Sequence, residues 1–150
     1  MIERLDNTNQ VISERMHALF QASYTVEADL LKAIDFPPLK RPLHDFLKSD
    51  TAFYGLWENE EIAAIVEIRV LQKVLEIQSL VVHPNYFRQG LGRKLMMFIL
   101  DTFDAEIYTV ETGLENKPAT QLYKKLGFQE VKQWDTAFGI RKVKFELTKK

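Results

Sequence analysis

Between Val81 and Leu95 the chain runs Val-Val-His-Pro-Asn-Tyr-Phe-Arg-Gln-Gly-Leu-Gly-Arg-Lys-Leu, apolar residues giving way to a loop with two glycines and then to a helical pattern. Where a strand passes through such a loop into a helix, the first helical N–H groups have no partner within the helix and point together. With the helix dipole behind them they form an anion site. Gly90 and Gly92 let a phosphate approach the main chain with no Cβ in the way, and Arg88 and Arg93 add positive charge at the rim. No Gly-Lys-Ser/Thr follows, so this is not a Walker loop, and two glycines do not make the three-glycine dinucleotide fingerprint. As a bare pattern, two glycines at a helix start are more often simple turn chemistry.

Composition removes other chemistries. The 150 residues include no cysteine, which excludes disulfide frameworks, thiol nucleophiles, iron–sulfur clusters and thiolate zinc sites. His17, His44 and His83 share no i, i+4 spacing, so no metal is expected. With 20 Lys+Arg against 21 Asp+Glu, the net charge of −1 gives no reason to expect nucleic acid or an anionic membrane as partner. Met1–Asp6 carries acids instead of an apolar signal core, and the apolar run Leu95–Leu100 is far too short to span a bilayer. The expected address is cytoplasmic. A chain of this length buries roughly 70% of the surface its unfolded form exposes, so residues 1–150 are expected to form a single domain.

The elements that must hold the loop follow from periodicity. Ile2–Leu5 is an edge strand, and Asp6–Asn9 is a turn that offers helix caps. Ile12, Met16, Leu19, Phe20 and Ser23 fall at helical spacing, Ala28–Ile34 continues as helix or helical turn, and Phe36-Pro37-Pro38 stops it. A short helix follows over Leu43–Leu47. Ala52–Trp57, Ile62–Val70 and Val74–Val82 make an antiparallel meander. Leu91, Leu95, Phe98, Ile99 and Thr102 share one helical face. Glu106–Glu111 is a strand, Pro118 opens the last helix, Gly127 closes it, and Phe128–Trp134 and Ile140–Leu147 are the final strands. Strand, loop, helix, strand, helix and strand after a meander make an α+β (mixed α/β) domain. The lysines of Arg141–Lys144 and Lys149–Lys150 read as a solvated strand face and tail.

A second segment decides between the readings of the loop. One strand after it comes Asn116-Lys117-Pro118-Ala119-Thr120-Gln121-Leu122-Tyr123-Lys124-Lys125-Leu126-Gly127-Phe128. Together the two resemble the GNAT superfamily of N-acetyltransferases. Phe87-Arg88-Gln89-Gly90-Leu91-Gly92 meets that family's Arg/Gln-x-x-Gly-x-Gly/Ala, and the second segment meets its Asn-x-x-Ala-x-x-Leu-Tyr with a following Leu-Gly-Phe. Phe87 departs from the pattern, standing where the family usually has Arg or Gln. That implies a weaker side-chain contact with the pyrophosphate, since the position mostly presents its backbone amide.

The resemblance implies a mostly antiparallel central sheet of six or seven strands, flanked by about four helices and splayed between the fourth and fifth strands. It implies acetyl-CoA as cosubstrate, held by Leu80, Val81 and Val82 along the pantetheine arm and by Phe87, Arg88, Gln89, Gly90, Leu91, Gly92 and Arg93 at the pyrophosphate. Asn116 would contact the pantetheine side, and Lys124 or Lys125 the nucleotide phosphates. Tyr123, also against the cofactor, takes the general-acid position toward the leaving thiolate. Glu76, on the strand feeding the loop, is the candidate base.

A lysine-like amine costs about 4.6 kcal/mol to deprotonate at pH 7, an α-amine only about 1, so the base matters most for the former. Without cysteine the expected route is direct attack in a ternary complex. The alternative is a non-catalytic acyl-CoA-binding or regulatory module. The acceptor is expected to be a small-molecule or peptide amine, and the family's habit of dimerising implies a homodimer. Glu27, Asp29, Asp35 and Asp45 are candidates to attract a cationic amine, with Phe36, Tyr54 and Trp134 as apolar walls.

Overall fold

The computed structural model describes residues 1–149; Lys150, in the expected tail, lies outside the described residues. The strands are β1 (Ile2–Leu5), β2 (Ala52–Glu58), β3 (Glu61–Leu71), β4 (Val74–Val82), β5 (Ile107–Gly113), β6 (Gln129–Asp135) and β7 (Arg141–Thr148). Among the described residues they form one seven-stranded sheet in the order β1-β2-β3-β4-β5-β7-β6. Every neighbouring pair is antiparallel except β4 with β5. The helices are α1 (Gln10–Leu31), α2 (Leu43–Lys48), α3 (Leu91–Thr102) and α4 (Lys117–Lys125), with 3-10 turns at Pro37–Lys40 and Pro84–Tyr86.

The sheet has a core on each face. Met16, Leu19 and Phe20 of α1 and Phe46 of α2 pack on Phe53, Ile65 and Val81. Leu91, Leu95, Met96 and Ile99 of α3, with Tyr123 of α4, pack on Val66, Ile68, Leu75, Tyr108 and Phe145. Lys149 is not simply solvated: its ammonium lies 5.6 Å from the Tyr108 ring centroid and donates to the Leu100 carbonyl.

Two local features position the site. The pairing of β4 with β5 runs only from Val74↔Ile107 to Ile77↔Val110, although β4 continues to Val82 and β5 to Gly113. Beyond Ile77 the two strands part. The second feature is Gly113, where a Cβ would stand 2.7 Å from Leu31 Cδ2. The missing side chain lets the last turn of α1 lie on the end of β5. That draws Glu27, one turn earlier, toward the gap between the parting strands.

Candidate active site

The open edge of β4 follows from strand alternation. The His83 N–H donates to Ala63 C=O at 2.8 Å, so residues 83 and 81 spend their main-chain groups on β3. Leu80 and Val82 therefore present theirs to the gap, where β5 no longer pairs. An extended arm with amide groups can add there as a strand does. Val81, expected alongside them, turns its main chain to β3 and its side chain into the α1-side core, 1% exposed.

The edge leads into the start of α3. Arg88 holds φ 64° and Gly90, the cap residue, φ 75°, and no side chain caps the helix. By contrast Asn9 caps α1 and Asn116 caps α4 through their side chains. The first α3 bond to be made is Lys94 N–H to Gly90 C=O at 3.0 Å, which leaves the amides of Leu91, Gly92 and Arg93 for an anion. Leu91 contributes only that amide, since its side chain is buried. Phe87, Gln89 and Arg93 are exposed around the loop.

Tyr123 lies at the gap. Its ring sits 5.9 Å from those of Phe128 and Phe145, and it lines a cavity of about 60 Å³ with Tyr24 and Glu27 of α1, Ile77–Leu80 of β4, Val110–Thr112 of β5, and Asn116 and Ala119. Burial pushes the tyrosine hydroxyl well above its ordinary value, and Glu27 and Tyr24 push the same way. Burial likewise raises the Glu27 carboxyl, against the pull of Lys142 and the Asn116 amide. Glu111 shares the cavity with a Lys142 ammonium 3.6 Å away.

Asn116 accepts from Ala119 N–H at 3.3 Å and so starts the helix that carries Tyr123. Lys125 is exposed in the last turn of α4, away from this cavity.

The structure does not bring Glu76 to Tyr123. Glu76 sits one row outside the cavity, paired across the sheet with Arg69 and Thr109, and it accepts from Gln78 Nε2 at 3.1 Å. Ser79 aligns with the buried carboxylate Glu67 of β3, while Glu76 aligns with Arg69, beyond the register shift at Glu67/Ile68. Of the acids expected to attract an amine, Glu27 reaches the gap, while Asp35 pairs with Lys40 at the surface and Asp29 is exposed. Tyr54 packs against Phe98 and Phe103 on the opposite face. Phe36 packs edge-on to Tyr24, at the α1 side. His83 uses Nδ1 to accept from Asn85 N–H and so ends its strand.

The resemblance implies an acceptor site over roughly Tyr24 to Lys48, which contains Tyr24 and Arg41 but singles out neither, and Glu67 was missed. The signal for Glu67 was available: it is a lone carboxylate within Ile62-Ala63-Ala64-Ile65-Val66-Glu67-Ile68, an otherwise apolar strand.

The sequence model of the acetyltransferase (GNAT) family matches residues 13–128. The chain belongs to this family. It is 32% identical over 148 residues to the UPF0157 protein YqkA of Bacillus subtilis, an alignment covering 98% of this chain and 43% of that protein. Against the [ribosomal protein bS18]-alanine N-acetyltransferase of Escherichia coli K12 it is 31% identical over 80 residues, 51% of this chain and 54% of that enzyme. A crystal structure of the ribosomal-protein-S18-alanine N-acetyltransferase from Escherichia coli superposes with a TM-score of 0.77 at 22% identity, covering 99% of this chain and 92% of the other. The chain thus spans about half the length of the curated relatives it matches, or less. No helix among the described residues is long and apolar enough to cross a membrane.

Membership of the family gives Gly92 a test. A Cβ there would meet Leu122, Leu80 and Val82 at 3.6–3.9 Å, ordinary contact, so the protein itself does not demand glycine. Gly92→Ala is expected to leave stability unchanged or improved by about 0.5–1 kcal/mol. Coenzyme A affinity in calorimetry should drop roughly tenfold or more, the equivalent of one charge-assisted hydrogen bond. Unchanged affinity would place the pyrophosphate elsewhere.

Proposed function

We propose that the chain transfers the acetyl group of acetyl-CoA to a primary amine by direct attack in a ternary complex. The observation that carries this reading is the gap between β4 and β5. There the unpaired edge of β4 borders the cavity of a buried tyrosine and runs on in sequence to an uncapped helix start. When bound, acetyl-CoA supplies a thioester carbonyl to which the amine nitrogen adds, forming C–N and breaking C–S. Leu80 and Val82 align the pantetheine arm, and the amides of Leu91–Arg93 hold the pyrophosphate.

Glu27 and Glu111, both lining the cavity, are the candidates to receive the proton that the amine loses. The raised Glu27 carboxyl is the better matched of the two, because a base works best as its pKa approaches the operating pH. Tyr123 donates a hydrogen bond to the departing sulfur. The name of the Escherichia coli relative, an alanine N-acetyltransferase, supports an α-amine among the acceptors. The absence of cysteine in the chain supports direct transfer over an acetyl-enzyme.

The experiment is thiol release from acetyl-CoA with a panel of α-amines, ω-amines and N-terminal peptides. No release with any of them, while coenzyme A still binds, would leave only a binding module. Within an active panel, Glu27→Gln is expected to lower kcat/KM by about 10²-fold for a lysine-like amine and much less for an α-amine. Glu76→Gln serves as the comparison; a larger loss there than in Glu27→Gln would return the base to β4.

A further inference from the structure

Beside the cavity at Tyr123 lies a second one of about 320 Å³, and the two share Tyr24, Gln78 and Ser79. They adjoin at Tyr24, Gln78 and Ser79, one lying under α1 and the other in the gap between the parting strands. Their charges differ. The cavity at Tyr123 contains the carboxylates of Glu27 and Glu111. The other contains Arg41 and Arg69 together with Glu67. Glu67 is 3% exposed and its oxygens are fully engaged, accepting from Arg41 Nη1 and Nη2 at 2.8 and 3.0 Å, Thr51 Oγ1 at 2.6 Å and Ser79 Oγ at 2.9 Å. It has nothing left to offer a ligand, and its effect is to lock the guanidinium in place.

Arg41 is fixed on a second side by Phe46, whose ring centroid is 4.2 Å from Cζ. A guanidinium has more N–H donors than one carboxylate can use. The Arg41 side chain keeps 23% of its surface exposed while Glu67 keeps 3%, so part of the guanidinium not used by the carboxylate is open. Arg69 faces the same cavity, and its partner Asp50, 77% exposed, does not line it. Exposed pairs of this kind hold little free energy and exchange readily for another anion.

Resting on the acetyltransferase reading, we infer that the acceptor is a small amine carrying its own anionic group, a carboxylate or phosphonate, a few bonds from the nitrogen. The ammonium end enters beside Glu27 and Glu111, where it loses its proton. The anionic end docks on the preformed Arg41 edge and on Arg69, displacing Asp50. The second cavity, of about 320 Å³, has room for such an end. Tyr24, on the boundary of both cavities, spaces the two ends.

The test is thiol release from acetyl-CoA with matched acceptors: glycine, β-alanine, 4-aminobutyrate and 6-aminohexanoate, each beside its carboxamide, and 2-aminoethylphosphonate beside ethylamine. At least one anionic acceptor is expected to exceed its neutral partner tenfold or more in kcat/KM. Which one does so separates carboxylate from phosphonate and sets the length. Arg69→Gln, at a part-exposed position, is expected to raise KM for that acceptor about tenfold and leave kcat within twofold. The Arg41→Gln/Glu67→Gln pair is expected to erase the preference. Equal rates for anionic and neutral partners, or a preference that survives Arg69→Gln, overturn the inference while the acetyltransferase reading stands. Release with none of these, alongside release with peptides, overturns it in favour of a macromolecular acceptor. Release with no amine of any kind removes both.

Discussion

Tyr123→Phe lowers the acetylation rate constant by roughly 10²–10³-fold while coenzyme A affinity stays within about twofold, the expected cost of one hydrogen-bond donor aimed at developing charge. The substitution removes a single oxygen. Packing of the ring against Phe128 and Phe145 is preserved, and the residue is only 3% exposed, so the fold is not perturbed. The raised hydroxyl pKa sharpens the role. A thiol titrates near about 8.5, so a tyrosine held above its ordinary value near about 10 is the weaker acid of the two. On the proposed reaction Tyr123 would therefore stabilise the leaving thiolate by a hydrogen bond and keep its proton, with sulfur protonated afterwards from solvent. The corollary is a pH–rate profile with no alkaline limb from Tyr123 below about pH 10. Steady-state kinetics with an α-amine acceptor measures both. A rate within threefold of wild type in the phenylalanine variant would return Tyr123 to the core.

Local chemistry was readable residue by residue. Val74–Val82 has the same ends in the structure as in the period-two pattern. Asn9, within the turn expected to offer caps, accepts from Ile12 N–H at 3.0 Å. The glycine loop falls where strand becomes helix. What could not be read was anything set by strands remote in sequence. The strands β5 and β7 pair with β6 outside them, which no spacing encodes. The parting of β4 from β5 was expected only through the family resemblance; no residue of β4 itself marks that the pairing stops at Ile77. Glu27 lies on a helix face that looks solvated, and only the approach of α1 to β5 at Gly113 buries it. Glu76 illustrates the converse. Its place on the correct strand suggested proximity, but the register left it beside Arg69 instead of at the gap.

Glu67→Gln is expected to cost about 3–5 kcal/mol of stability at pH 7, the largest structural effect of any single substitution considered, because it leaves the Arg41 charge without its counter-ion. For a chain of this length each kcal/mol moves Tm by about 2–4 °C, so a fall of roughly 6–20 °C should be seen in thermal unfolding. Burial alone would raise the Glu67 carboxyl; the Arg41 fork and the hydroxyls of Thr51 and Ser79 outweigh it and hold the group below its ordinary value of 4.5. A carboxylate depressed in the fold contributes stability that is complete above the unfolded value. That contribution is lost as pH falls through the lower folded one. The gap between wild type and Glu67→Gln should therefore be constant above about pH 5.5 and narrow progressively below about pH 4.5. A gap of the same size at pH 7 and pH 3 would mean that the carboxylate charge is not what stabilises the fold. Apolar replacement of both partners, Arg41→Met with Glu67→Leu, should recover much of the loss, since paired removal leaves no unmatched charge. That variant would keep the fold and lose the guanidinium edge, which separates what the ion pair does for stability from what Arg41 does in the cleft.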